Sequence, residues 1–312
     1  MREPAYGGYF ADPFLLRTPE GFVAYGTGRP GTSAAGSFTA LVSEDLRSWR
    51  SAGPVLRGPD GALGTDYWAP EVVYADGVYW MYYSVGHGIV GHHLRVARAE
   101  SALGPFIDAG VNLTTDLPFA IDPHPFRDRD GTWYLYFARD VLDAERPGTH
   151  LAVMRLSGMT GVEPEILPIL SPNADWQIYR RDRPMYGRRL DWHTLEGPSV
   201  VAQDGRYYLF FSGGSWEGPD YGVSYATSAS PLGPWTHAST ERPVVLSTAI
   251  TGLAGPGHNS LLRLDGGPDL IAFHAWDAGM TTRSMYIDRL RWSNGVPGVV
   301  DCPPPHHRSL GS

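Results

Sequence analysis

Three carboxylates in this sequence each open the same kind of short segment. Asp12 stands in Ala11-Asp12-Pro13, Asp122 in Ile121-Asp122-Pro123 and Glu196 in Glu196-Gly197-Pro198. An acid beside a proline is ordinarily a solvent-facing turn former. Three of them at matching places in a repeat need another account, because a repeat can gather residues 110 and 74 positions apart into one cluster. Acidic groups crowded into a narrow space repel one another, so at least one should keep its proton well above the usual carboxylate range. A protonated acid beside an ionised one is a general acid facing a general base. Hydrolysis of a glycosidic bond needs such a pair.

The repeat that would gather them is visible in five segments. They are ADPFLLRTPEGFVAYGTG from Ala11, APEVVYADGVYWMYYSVG from Ala69, IDPHPFRDRDGTWYLYFARD from Ile121, EGPSVVAQDGRYYLFFSGG from Glu196 and GHNSLLRLDGGPDLIAFHAW from Gly257. Each has a short apolar strand, a turn rich in Asp and Gly, and a strand dense in aromatic residues. Asp-Gly between apolar runs, at Asp76-Gly77, Asp130-Gly131 and Asp204-Gly205, is a strong hairpin signal. Third strands follow, as in HLRVARAESALGPF and YGVSYATSASPLGPW. A period of roughly 50 to 75 residues with about four strands is that of a propeller blade. The expectation is an all-β, five-bladed propeller forming a single domain over residues 1–312, with blades starting near residues 11, 69, 121, 196 and 257. Asp12, Asp122 and Glu196 then hold near-equivalent positions on inner strands that converge on the axis. A β-sandwich gives no reason for its hairpins to begin at the same X-Pro corner.

Composition agrees. Thirty-eight Gly, 27 Pro, ten Trp and 17 Tyr in 312 residues favour many turns and aromatic strands. The formal charge of −8, with no Lys/Arg stripe, opposes a nucleic-acid partner. Lone Cys302 excludes an intrachain disulfide framework. No apolar run is long enough to span a membrane, and the N-terminus MREPAYGGYFADPF lacks a signal-peptide core, so a cytoplasmic location is expected, or a secreted one if a signal was trimmed.

In order along the chain, Ala11-Asp12-Pro13, Trp68-Ala69-Pro70-Glu71, Ile121-Asp122-Pro123, Glu196-Gly197-Pro198 and Gly257-His258-Asn259-Ser260 resemble the motifs of glycoside hydrolase family 43 over nearly the whole length. The resemblance implies inverting hydrolysis, with Asp12 as general base, Glu196 as general acid and Asp122 tuning the acid's pKa and orientation. Inversion places the two catalytic carboxyls about 6.5–9.5 Å apart. By the same resemblance Trp68 packs on the sugar, Arg283 orients Asp122 or a sugar hydroxyl, and His258 lies near the axis. No cofactor is required for the chemistry, while Ca2+ or another ion in the central channel would be held at His258, through water. One departure is His124-Pro125, where many relatives have a small residue after Asp-Pro; His124 either packs behind the channel or lends the site a hydrogen bond.

The expected partners are plant cell-wall-type oligosaccharides and the expected activity that of an exo-acting α-L-arabinofuranosidase. β-Xylosidase, endo-1,5-α-L-arabinanase and β-galactofuranosidase are alternatives on the same scaffold. The xylosidase branch usually adds a C-terminal β-sandwich, which tilts the expectation toward arabinose. A non-catalytic carbohydrate-binding propeller is the alternative of another class, and it predicts the loss of one carboxylate.

Other signals carry less. Gly26-Thr27-Gly28-Arg29-Pro30-Gly31 fits a dinucleotide-binding pattern by letter, but no helix follows. His87, His92 and His93 read as a Gly-rich rim loop rather than a metal cluster. Asp128 and Asp130 are turn residues, since no Glu follows at the twelfth position of a calcium loop. His306 and His307 belong to a frayed end. The stretch 171–193, basic and aromatic, is expected to be a loop that roofs the acid's side of the pocket.

Overall fold

In the computed structural model, which describes residues 2–29, 38–58 and 63–300, the Asp-Gly turns set the first level of order. Asp76 and Gly77 have φ of 54° and 85°, and Asp204 and Gly205 have 48° and 78°. Two successive residues at positive φ make the type I′ turn, whose twist matches that of paired strands. Asp130-Gly131 differs: its strands end at Arg127 and resume at Trp133, and the Asp128 carbonyl accepts from Gly131 N. Asp128 and Asp130 are turn residues, as their sequence implied.

Each of the five units has an inner strand paired antiparallel with a second. The inner strands are Ala11–Thr18, Asp66–Ala75, Ala120–Arg127, Arg188–Gln203 and Ala254–Leu262. Their partners are Gly21–Thr27, Val78–His87, Trp133–Val141, Arg206–Gly213 and Asp269–Trp276. A third and a fourth strand complete each sheet. The inner strands touch in cyclic order, the last against the first, so the sheets close into a propeller. The closure is reinforced by Ser260 Oγ donating to the Pro13 carbonyl and Phe10 N donating to the Arg283 carbonyl, both at 2.8 Å.

The second strands are buried on both faces, because each sheet packs against two others. Met81 and Tyr83 join the cluster between the first and second blades, while Tyr82 joins the one between the second and third. Leu209 and Phe211 face the third blade and Phe210 the fifth. A fifth cluster, with Leu15, Ala24, Leu270 and Met285, seals the last blade to the first. This is why runs such as WMYYS and YLFFS are apolar without alternation. The core is thus five interfaces around a channel.

Every inner strand breaks its register at an equivalent place, and the fifth has a second break, between Ala254 and Gly257. The equivalent breaks fall between Ala11 and Phe14, Trp68 and Glu71, Ile121 and His124, Glu196 and Ser199, and Gly257 and Ser260. The residue just inside each break has positive φ: Asp12 at 51°, Ala69 at 46°, Asp122 at 58°, Gly197 at 55° and His258 at 49°. These five are equivalent. Glu196 therefore corrects the sequence-based equivalence: it matches Trp68 and Ile121, one residue ahead of Asp12 and Asp122. A bulge places an extra residue opposite the partner strand, so two consecutive residues can turn toward the axis.

The stretch 171–193 is also not the loop expected from its composition. After a 3-10 turn at Asp175–Gln177 it forms the strand Ile178–Met185, which turns through Tyr186-Gly187 into the 16-residue strand that carries Glu196. Gly148 and Thr149 of the third blade pair in parallel with His193 and Thr194, clamping that strand just ahead of Glu196. Of the Gly26–Gly31 pattern, Gly26 and Thr27 end a strand, and Pro30 and Gly31 lie outside the described residues, as do Cys302, His306 and His307.

Phe137 is fully buried between the second and third blades. Phe137→Ala should lower unfolding free energy by about 3–5 kcal/mol, measured by urea denaturation. A loss below about 1 kcal/mol would mean that this interface collapses around the deleted ring.

Candidate active site

Asp12, Asp122, Glu196, Trp68, His258 and Arg283 all line one cavity of about 570 Å³. Its walls come from all five blades, with Asp66 and Ile89 from the second and Trp216 from the fourth. The bulges explain the convergence: Trp68, Ile121 and Glu196 use the position before the positive-φ residue, while Asp12, Asp122 and His258 use that residue itself. In the fourth and fifth blades the companion position must be glycine. A Cβ on Gly197 would lie 3.2 Å from the His258 ring, and one on Gly257 would strike the Tyr221 ring. A larger hollow of about 740 Å³, between the first two blades, holds none of these groups, and its Glu20, Glu44 and Glu100 are exposed.

Asp12 sits among cations. Its Oδ1 is 3.4 Å from His258 Nδ1 and 3.7 Å from Arg283 Nη1, and its backbone N–H donates to His274 Nδ1 at 3.1 Å. Burial alone would raise its pKa; the attraction of His258, with that of Arg283, outweighs it and holds the carboxyl far below the usual range. His258 answers in the opposite direction. Burial disfavours its charge, but Asp12, Asp122 and Glu196 together raise its pKa.

Glu196 and Asp122 lie on the other side of this division. The Glu196 pKa is raised, first by burial and then by the neighbouring Asp122 charge, with the Tyr221 hydroxyl donating to Oε1 at 2.6 Å and opposing the rise. Burial therefore leads, with Asp122 second. Asp122 is itself raised by burial and partly relieved by His258, and its Oδ2 accepts from Gly197 N at 2.8 Å. The Tyr221 ring lies parallel to that of His274, centroids 5.8 Å apart, so one stack supports the surroundings of both Glu196 and Asp12.

Several placements differ from expectation. Arg283 approaches Asp12 rather than Asp122; its guanidinium donates to Tyr9 Oη at 2.7 Å through Nη2 and lies 4.4 Å from the Trp216 ring centroid. His92 does not belong to an exposed rim: it is fully buried, stacked on Trp68 at 3.7 Å between centroids, while His87 is exposed and His93 half-buried. His124 packs behind the channel. Its Nε2 accepts from Val200 N at 3.0 Å, which leaves Nδ1 to donate to Glu71 Oε2 at 2.7 Å. No residue of 171–193 lines the cavity. That segment instead braces the wall, with Trp176 packed at Gly213 and Gly214 and Arg180 bound to Glu217 at 2.9 Å, beside Trp216.

Nothing in the geometry supports an ion at His258. Nδ1 is turned to Asp12, and among the described residues no group of three or more His, Cys, Asp or Glu side chains is arranged to hold a metal. Tyr9, Trp216, Tyr221 and His274 are site residues that the motifs did not point to. Gly257 was the available signal for Tyr221, since only a residue without Cβ leaves room for that ring.

The shift at Glu196 has a consequence for stability. Its folded pKa lies above the ordinary value of 4.5, so ionising it opposes folding. The opposition is absent below the ordinary pKa and grows as pH rises through the folded one. Glu196→Gln keeps an acceptor for Tyr221 and cannot ionise. Its gain in Tm over the parent should be near zero at about pH 4 and increase toward about pH 8. A gain that is independent of pH, read by differential scanning calorimetry, would rule out the buried charge as its cause.

Comparison with known proteins agrees with this geometry. A sequence profile of glycosyl hydrolases family 43 matches residues 1–297. The β-D-galactofuranosidase xynD of Aspergillus niger is 28% identical over 306 residues, covering 92% of this chain and 81% of that one. The α-L-arabinofuranosidase 43 of Humicola insolens is 23% identical over 278 residues, covering 85% of this chain and 54% of that longer one. Among solved structures, one described as an endo-1,4-β-xylanase from Bacteroides thetaiotaomicron superposes with a TM-score of 0.78 at 31% identity, over 96% of this chain and 97% of that one. With the profile spanning the propeller and its cavity, the chain belongs to glycosyl hydrolases family 43 and is an O-glycosyl hydrolase.

Proposed function

We propose that this hydrolase removes terminal α-L-arabinofuranosyl residues from plant cell-wall oligosaccharides with inversion at the anomeric carbon. The observation that carries the reading is that two carboxylates face one cavity in opposite surroundings. Asp12 is held ionised by His258 and Arg283, and Glu196 is held protonated by burial beside Asp122. Asp12 takes a proton from water as the water oxygen attacks the anomeric carbon. Glu196 gives its proton to the departing glycosidic oxygen. The second substituent leaves from the face opposite the new bond, so configuration inverts. Asp122 tunes Glu196 through its charge and orients it.

Binding falls to Trp68, Arg283 and His258, joined by Trp216. Trp68 presents an indole backed by His92, and Arg283 is fixed by Tyr9, so both contacts are preorganised. A second reading is favoured by the Aspergillus niger relative: β-D-galactofuranosides share the ring configuration of α-L-arabinofuranosides and differ in the exocyclic arm.

Aryl α-L-arabinofuranoside, β-D-galactofuranoside and β-D-xyloside substrates separate these readings, and the arabinofuranoside should turn over fastest. Asp12→Ala should lower kcat by about 10²–10⁴-fold on every substrate. Glu196→Ala should do so on oligosaccharides but spare aryl glycosides, whose leaving group needs no proton. First appearance of the product with retained anomeric configuration, followed by proton NMR, would overturn the mechanism.

Tyr221 supplies a further test. Its hydroxyl stabilises the ionised form of Glu196, so Tyr221→Phe should raise the Glu196 pKa and move the alkaline limb of kcat/KM to higher pH. An alkaline limb that stays in place or falls would show that Tyr221 does not act through Glu196.

A further inference from the structure

The position opposite the residue before each bulge is occupied by Thr27, Ser84, Ala138, Ser212 and His274 in the five blades. In three cases this side chain accepts the N–H of the bulge residue in the following blade. Thr27 Oγ1 accepts from Ala69 N at 2.8 Å, Ser212 Oγ from His258 N at 2.8 Å, and His274 Nδ1 from Asp12 N at 3.1 Å across the closure. The repeat thus carries a clasp between successive blades. A buried amide at positive φ has no strand partner at the bulge, and the neighbouring side chain satisfies it.

Ala138 is the only one of the five without a polar side-chain atom. The amide it would have received is that of Gly197, and this amide donates instead to Asp122 Oδ2 at 2.8 Å. Gly197 N belongs to the peptide bond that leaves Glu196. We propose that Ala138 is a positioning residue: by withholding the acceptor that Thr27, Ser212 and His274 supply in three other blades, it yields the Gly197 amide to Asp122, which thereby grips the peptide next to Glu196. One bond then does two things. It fixes the Asp122 carboxylate against the fourth blade, and it favours the charged form of Asp122 beside the acid. Restoring the clasp should release both.

Ala138 is fully buried in the cluster between the third and fourth blades, so its small size could serve packing alone. Two substitutions separate the accounts. Ala138→Ser adds a hydroxyl able to accept the Gly197 N–H, and Ala138→Cys adds a group at least as large but a poor acceptor. The first measurement is a thermal double-mutant cycle. Asp122→Ala leaves the Gly197 amide without its partner, and adding Ala138→Ser should restore part of the lost Tm, whereas adding Ala138→Cys should not. Equal effects of the two substitutions, or no recovery with Ala138→Ser, would overturn the proposal. This cycle needs no activity, so it stands or falls apart from the roles given above.

The second measurement rests on the reading of Glu196 as the acid. In Ala138→Ser alone, Asp122 loses the bond that favours its charge, binds its proton more tightly and repels Glu196 less. The alkaline limb of kcat/KM should move down by about one pH unit, and in Ala138→Cys it should not. A limb that moves equally in both, or in neither while Ala138→Ser gives the thermal rescue, would overturn the link from Ala138 to the acid.

Discussion

The bulge at the start of each inner strand is the constraint from which the site follows. It breaks the alternation of a strand at one place and turns two neighbouring residues toward the axis. The backbone there adopts positive φ, a conformation costing an ordinary L-residue about 1–2 kcal/mol, and Asp12, Asp122 and His258 all hold it. Aspartate tolerates this region better than most residues, which makes it a natural occupant of such a corner. The strain persists because the amides freed at four of the corners, those of Asp12, Ala69, Gly197 and His258, are taken up by an adjacent blade. Site geometry is therefore a property of blade closure rather than of any single loop.

Closure also divides the charges. The first and fifth blades meet where Asp12, His258 and Arg283 come together, and the third and fourth meet where Asp122 accepts from Gly197. One seam therefore gathers the cationic groups and the other is carboxylate-rich. Two carboxylates of nearly equal intrinsic strength are set apart by which seam they occupy. His258 is the hinge of the arrangement: its Nδ1 is 3.4 Å from Asp12 Oδ1 and 3.9 Å from Asp122 Oδ2, so it attracts both but serves Asp12 more. Arg283 adds to the same side, and its contact with Tyr9 keeps the guanidinium aimed there.

Much of this was legible in the sequence. Asp-Gly turns between aromatic runs gave the hairpins, the X-Pro corners gave the repeat, and the repeat brought Asp12, Asp122 and Glu196 into one cavity. The offset of Glu196 was not legible, because strand periodicity is counted by twos and a bulge adds one. Tyr221, His274 and Tyr9 escaped notice because they come from second or third strands and from the segment before the first blade, where no motif marks them. His92 looked exposed because its neighbours are Gly and His, yet Gly86 leaves space for its ring to turn inward under Trp68. The stretch 171–193 read as a loop because Arg, Asp and Pro are poor strand formers. Its pairing is supported instead by ion pairs such as Arg189 with Asp182 and Arg181 with Asp191.

Space at the corners limits what this frame can present. Each bulge offers two positions facing the axis, and in four of the five only one of them carries a large side chain; the third blade, with Ile121 and Asp122, fills both. Ala11 accompanies Asp12, Ala69 accompanies Trp68, Gly197 accompanies Glu196 and Gly257 accompanies His258. The contacts of a hypothetical Cβ at Gly197 with His258, and at Gly257 with Tyr221, show why the small partner is required. Choosing which of the two positions bears the functional group changes its place along the channel without altering the strand. Glu196 uses the position before the positive-φ residue and Asp12 that residue itself, so the two carboxylates differ in position as well as in surroundings. A carboxylate moved from 196 to 197 would meet the His258 ring and lose its place by Tyr221, which makes the one-residue offset part of the chemistry.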